Sequence, residues 1–112
     1  MNTLKNKVTL IGNLGMDPDF RDLGDNRKMA RVSIATNESY KNSLGEKVTE
    51  TQWHNLVAWD KTAEFMSKYL QKGSEIVVEG KLINRNYTDK EGIKRYMTEI
   101  EVRDILIIGT KP

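Results

Sequence analysis

The chain has 112 residues, no cysteine, and 18 basic against 16 acidic side chains, for a net charge of +2. A length of this order builds one domain, and residues 1–112 are read as one. The missing cysteines exclude a disulfide framework and a thiolate metal site, and so small a charge excess excludes arguing for nucleic-acid binding from total charge alone.

Strand signals dominate the chain. Lys7 to Asn13 carries Val8, Leu10 and Ile11 and ends at Gly12 and Gly15, ahead of the turn Asp17-Pro18-Asp19. Leu23-Gly24-Asp25-Asn26 reads as a turn between two strands. From Met29 to Tyr40 the residues alternate, with Ala30, Val32 and Ile34 on one face and Arg31, Ser33 and Ala35 on the other. Lys41 to Lys47 is a polar loop around a glycine. Glu50 to Trp59 is the next strand, with Trp53, Asn55, Val57 and Trp59 on one face and His54, Leu56 and Ala58 on the other. One helix is predicted over Lys61 to Lys72, with Asp60 as N-cap, Ala63, Met66 and Leu70 at helical spacing, and Gly73 as the stop. Ser74 to Tyr87 is a long strand, Asp89-Lys90-Glu91-Gly92 a hairpin turn, and Arg95 to Ile108 the last strand. Three strands, one helix and two strands predict an all-β chain with one helix: the OB-fold, a five-stranded Greek-key barrel with the helix after the third strand. An open sandwich with the helix on one face is the alternative.

Tyr40, Trp53, Trp59 and Tyr87 lie in or beside these strands. Six residues separate Trp53 from Trp59, so both indoles fall on one sheet face. A flat ring beside cations can stack on an unpaired base while the cations follow the phosphates. Two segments have a local cationic excess. Arg27 to Lys41 sets Arg27, Lys28, Arg31 and Lys41 against Glu38, and Lys81 to Arg95 sets Lys81, Arg85, Lys90, Lys94 and Arg95 against Asp89 and Glu91. From pattern alone, a strand tryptophan suits a core place as readily as a platform, and the cations equally fit solvated surface. Trp59, next to the helix start, also fits packing. Tyr40 and Tyr87 adjoin polar loops and read as exposed. His54 reads most simply as a hydrogen-bonded structural residue, and Phe65 and Tyr69 as core or helix-packing residues.

With one histidine there is no thiol–imidazole pair and no zinc cluster. No nucleophile elbow or phosphate-cradling glycine loop appears, so neither an enzyme nor a cofactor nor a metal is expected. Gly12-Asn13-Leu14-Gly15 matches the GXXG loop of KH domains, but its place between a strand and a turn argues against that reading. The N-terminus lacks a secretory core, and no apolar run reaches membrane-spanning length, so a cytoplasmic protein is expected. Asn37-Glu38-Ser39 and Asn86-Tyr87-Thr88 are then chance matches to the glycosylation triplet.

The chain resembles bacterial-type single-stranded DNA-binding proteins of the replicative kind. The resemblance starts at Lys7-Val8-Thr9-Leu10-Ile11-Gly12-Asn13-Leu14-Gly15 and includes Asp17-Pro18, Arg21 and Thr36-Asn37-Glu38-Ser39-Tyr40. It continues through Thr51-Gln52-Trp53-His54, Ala58-Trp59-Asp60-Lys61, Tyr69-Leu70-Gln71-Lys72-Gly73-Ser74 and Val78-Glu79-Gly80-Lys81-Leu82. It closes with Arg85-Asn86-Tyr87-Thr88-Asp89, Arg95-Tyr96 and Thr98-Glu99-Ile100. The resemblance implies an OB-fold subunit of a homotetramer, a dimer of dimers, associated with the nucleoid. It also implies sequence-tolerant wrapping of single-stranded DNA in replication, recombination and repair.

Tyr40, Trp53, Trp59 and Tyr87 fall at the family's base-stacking positions, although Trp59 stands where a phenylalanine is common and both tyrosines where a tryptophan is. Arg21, Arg31, Lys61, Lys72, Lys81 and Arg85 are the expected phosphate contacts. His54 is implied to lie at the subunit interface, and the first strand, about Leu4 to Leu10 with Lys7 and Val8, to pair with its twin. Family members commonly continue into a Gly- and Pro-rich tail with an acidic tip. The sequence closes on Gly109-Thr110-Lys111-Pro112 without one, so tip-mediated recruitment of replication and repair enzymes is not expected. Two other readings are a dimeric accessory OB protein of the primosome and an interaction module with no nucleic-acid role.

Overall fold

The structure is a computed structural model and describes residues 4–109. The residues at either end that entered the reading of the two termini, 1–3 and 110–112, lie outside the described ones. In chain order come a 3-10 turn at Leu4–Asn6, then β1 (Val8–Leu14), β2 (Asp19–Gly24), β3 (Arg27–Lys41), β4 (Lys47–Trp59), α1 (Asp60–Tyr69), β5 (Glu75–Thr88) and β6 (Lys94–Gly109).

Alternation decides which side chains turn inward. Ala30 stands opposite Ala58 and Val32 opposite Leu56, and all four are buried. Leu14 on β1, Ile76 and Val78 on β5, and Ile100 and Val102 on β6 meet them in one core. Ala63, Met66 and Leu70 join that core at the helical spacing read from the sequence.

The sheet closes on itself. Its order is β1-β5-β6-β4-β3-β2, and β1 also pairs with β3 through Asn13–Ala35 and Leu14–Ile34. Five strands therefore make the barrel, with β2 hydrogen-bonded outside it along β3. Closure demands close backbone approach. A Cβ on Gly12 would sit 2.5 Å from the Ala35 carbonyl oxygen, and one on Gly80 would sit 2.1 Å from that of Glu101. The helix follows the third barrel strand, as expected for the OB-fold.

β4 and β6 run parallel and pair briefly, at Leu56–Ile100 and Val57–Glu101. Because they run the same way, the β3–β4 and β5–β6 hairpins leave the barrel at the same end, as two arms.

The helix differs from expectation at both ends. Trp59 occupies the N-cap position, and no side chain caps the helix. Asp60 instead takes a left-handed φ of 53°. Its Oδ1 accepts from Lys28 N–H at 3.1 Å and from Arg27 Nε at 3.3 Å. The C-terminal end stops at Tyr69, with Leu70 extended. The chain is drawn off the helix there by Asp17, which accepts the Lys72 N–H at 2.8 Å, and by the Ser74 hydroxyl, which accepts the Gln71 N–H at 3.1 Å. Tyr69 is exposed rather than core; its ring meets Phe65 at 5.0 Å on the helix surface. Among the described residues no helix is long and apolar enough to cross a membrane.

Candidate nucleic-acid interface

Register places one continuous outer face across five strands, beginning with Asp19 and Arg21 on β2 opposite Arg31 and Met29 on β3. Arg31, Ser33 and Ala35 on β3 stand opposite Val57, Asn55 and Trp53 on β4. Val57 stands beside Glu101 on β6. Glu101, Glu99, Met97 and Arg95 in turn stand opposite Lys81, Ile83, Arg85 and Tyr87 on β5. Directly opposed residues share a face, so Trp53, Tyr87, Arg31, Arg85 and Lys81 belong to one surface.

Trp53 is the aromatic centre of this face. It is 60% exposed, although Val57 on the same side of the same strand is buried. One surface of the indole lies on the chain at Gly15, where a Cβ would meet ring carbons at 2.4 and 2.8 Å. Gly15 is held in turn by its N–H donating to the Ser33 carbonyl at 3.0 Å. The indole is held at these two carbons of its six-membered ring and is otherwise largely open to solvent, as a stacking platform needs.

The other three rings differ. Tyr87 is exposed near the end of β5, opposite Arg95. Trp59 is half-buried at the end of β4 and is covered by the Arg27 guanidinium, 5.1 Å from the ring centroid. Tyr40 is exposed, but it pairs with Val48 at the alternate parity and so lies on the other face of the β3–β4 arm. Its hydroxyl donates to Glu50 Oε1 at 3.2 Å.

The six expected phosphate contacts separate as well. Arg31 and Arg85 converge from opposite flanks on Glu99, a carboxylate only 1% exposed. Arg85 Nε is 2.7 Å from Oε1, and Arg31 Nη1 is 3.6 Å from Oε2. Neither contact is an aligned hydrogen bond, and both Oε1 and Arg31 Nε are buried with no hydrogen-bond partner. Lys81 lies on the same face, opposite Glu101. Arg21 is exposed on β2 and ion-paired with Asp19 at 3.3 Å. Lys61 lines a different groove with Phe65, Arg103 and Ile105, and Lys72 is exposed in the turn before β5. Arg21 stands opposite Met29, which stands opposite Trp59, so register joins four of the six cations, Arg21, Arg31, Lys81 and Arg85, to the Trp53 face, while Lys61 and Lys72 lie elsewhere.

Of the expected interface residues, His54 is half-buried, with Nε2 3.0 Å from the Thr36 hydroxyl. It lines a cleft between the arms with Leu82 and Ile100. The Asn6 side chain brackets Leu82, accepting its N–H at 2.9 Å and donating to its carbonyl at 3.1 Å. Leu4 lies in the 3-10 turn rather than in a strand, Lys7 is 3.9 Å from Glu79, and Val8 starts β1 opposite Gly80. β1 pairs with β3 at Asn13 and Leu14, with Gly12 close against Ala35, so among the described residues the other edge of Val8–Ile11 has no strand partner.

Gly15 and Glu99 are neighbours of the site to which the sequence reading assigned no role, and Arg27 entered it only as part of a cationic stretch. Nothing local marks Glu99, since its partners come from β3 and β5. The Gly15 seat is visible only once its loop is placed over β4.

Asp89 shapes the tip of the arm carrying Tyr87. Its Oδ1 accepts the N–H groups of Glu91 and Ile93, each at 2.9 Å, and its Oδ2 accepts from Arg95 Nε at 2.9 Å. The Ile93 N–H, then the Arg95 side chain and the Glu91 N–H hold its carboxyl below the usual aspartate range.

The model of the Single-strand binding protein family matches residues 5–108. The chain is 47% identical over 107 residues to Single-stranded DNA-binding protein 1 of Xylella fastidiosa (strain 9a5c), covering 95% of this chain and 79% of that protein. It is 42% identical over 107 residues to Single-stranded DNA-binding protein 1 of Chlorobaculum tepidum, covering 95% of this chain and 66% of that protein. Among solved structures it is similar to the Plasmodium falciparum SSB complex with ssDNA, with a TM-score of 0.83 and 32% identity over 93% of this chain and 95% of that one. A deletion mutant of the single-stranded DNA binding protein from Thermus aquaticus matches with a TM-score of 0.79 and 26% identity, over 93% of this chain and 50% of that one.

Proposed function

The chain belongs to the single-strand binding protein family, and from that premise we propose that its Trp53 face binds and protects single-stranded DNA without reading sequence, in replication, recombination and repair. The observation that carries this is the Trp53 indole, in contact with Gly15 and open to solvent on the face that also carries Arg31, Lys81 and Arg85. Every base has a π-face, and each base–aromatic stack is worth about 1–3 kcal/mol, so bases bind with little discrimination. Duplex DNA keeps those faces stacked, which favours single strands. Arg31, Lys81 and Arg85 follow the phosphates, and each phosphate neutralised steepens the salt dependence by about 0.7 in the log–log slope. Tyr87 and Tyr40 extend the track along the two arms. Trp59 is its outermost stacking position, while Arg21, Lys61 and Lys72 are peripheral contacts of a longer strand.

We also infer a homotetramer, a dimer of dimers. The edge of Val8–Ile11, without a strand partner among the described residues, invites antiparallel pairing with a second copy. Ile11, Val77 and Leu106 lie side by side in register on the outside of β1, β5 and β6, an apolar row with Ile11 and Leu106 exposed. His54, Leu82 and the Asn6 bracket adjoin that edge.

Titration with oligothymidylate, read by tryptophan fluorescence, tests the binding. Strong quenching that weakens with salt is expected. An interaction module without a nucleic-acid role leaves the emission unchanged.

A further inference from the structure

We propose that Glu99 is a positioning residue for phosphate binding: from beneath the outer face it fixes the guanidinium groups of Arg31 and Arg85 so that their free N–H groups meet the phosphates of a bound strand. The inference rests on the reading of this face as a single-strand binder. A carboxylate removed from water needs compensating charge, and the described ion-pair partners of Glu99 are these two arginines. Each arginine side chain is still about two-fifths exposed, at 40% and 42%. A guanidinium offers five N–H donors, and Glu99 faces one nitrogen of each, Nη1 of Arg31 and Nε of Arg85. The outward donors, which do not include the buried Arg31 Nε, are left for an anion from solvent.

Glu99 subtracts charge from a surface meant to attract phosphates, so it does not act by adding to the field. Its contribution is order. Two long side chains from β3 and β5 meet at a shared point on β6, on the face that carries Trp53. Holding them in one orientation removes rotamer freedom that binding would otherwise have to remove.

The experiment is a double-mutant cycle on the full chain, read as oligothymidylate affinity across a salt series, with circular dichroism as the fold control. Glu99→Gln, which keeps shape and removes charge, is expected to weaken binding about fivefold, a coupling ordinary for one ion-pair network. Arg31→Ala and Arg85→Ala should each weaken the parent chain and do much less in the Glu99→Gln background. If Glu99→Gln binds like the parent, or the arginine losses are the same in both backgrounds, Glu99 is structural only and the proposal fails. Arg85→Lys keeps the proposal testable if Glu99→Gln does not fold, because lysine keeps the charge and loses the fork. It should bind more weakly with an unchanged salt slope, and parental affinity would overturn the proposal. A parent chain that does not bind oligothymidylate refutes the single-strand reading and this inference with it, an outcome distinct from binding without coupling.

Discussion

The Trp53 indole rests on the backbone at Gly15, with no room between them for a β-carbon. A tight loop thereby sets the height and tilt of a ring on a distant strand. Gly15→Ala should tilt the ring and weaken oligothymidylate binding by part of a stacking contribution, up to about 1 kcal/mol, and leave the melting temperature nearly unchanged. Trp53→Ala should lose about 1–3 kcal/mol of binding with the fold intact. Fluorescence titration of Gly15→Ala, anisotropy of a labelled oligomer for Trp53→Ala, and a thermal melt of each check both variants. A Trp53→Ala chain that unfolds while sparing binding would make the ring a structural residue.

Asp60 combines a left-handed backbone with two acceptor contacts to Arg27 and Lys28. Asp60→Ala should cost about 1–2 kcal/mol, since alanine fits that backbone poorly and leaves the Lys28 N–H without its acceptor. Asp60→Gly, which loses the same contacts but accepts the conformation, should cost less. Urea unfolding of the two variants compares them, and equal losses would remove backbone strain from the account.

Acid should loosen the β5–β6 tip before it unfolds the barrel. The folded carboxyl of Asp89 lies below its unfolded value of about 3.9. The stabilisation it supplies is therefore fully present above that value and disappears as pH falls through the lowered one. Amide shifts of Gly92 and Ile93 followed from pH 7 to pH 2 should stay flat until strongly acid conditions and then move together. Asp89→Asn should show the loosened tip at neutral pH.

Leu106→Glu places a charge at the exposed β6 end of the row formed with Ile11 and Val77. Light scattering after size exclusion should show a smaller species than the parent chain, with the fold of each subunit retained. An unchanged mass would mean that the row is not a contact between copies.

The strands were legible because Ala30, Val32 and Ile34 recur at every second position and face Leu56 and Ala58 across the ladder. β2 carries no such signal: all six of its residues are exposed, so nothing in Asp19–Gly24 reports a buried face. The helix end was misjudged because Asp17, remote in sequence, captures the amide of Lys72. Within the site, the common face of Trp53 and Val57 was readable, but not that one is open and the other covered. The cationic excess around Arg31 and Arg85 was also readable. The carboxylate that binds them was not, because an ion pair across three strands leaves no trace in local spacing.

Tyr40 lies on the opposite side of the β3–β4 ribbon from Trp53, and twisting a ribbon does not merge its two sides. A polymer that touches both rings has to pass over the rim of that arm. Short oligomers would then end at the rim, and only longer ones would turn the corner. The length at which a lengthening series gains its next increment of affinity reports the contour of that detour, not the number of rings.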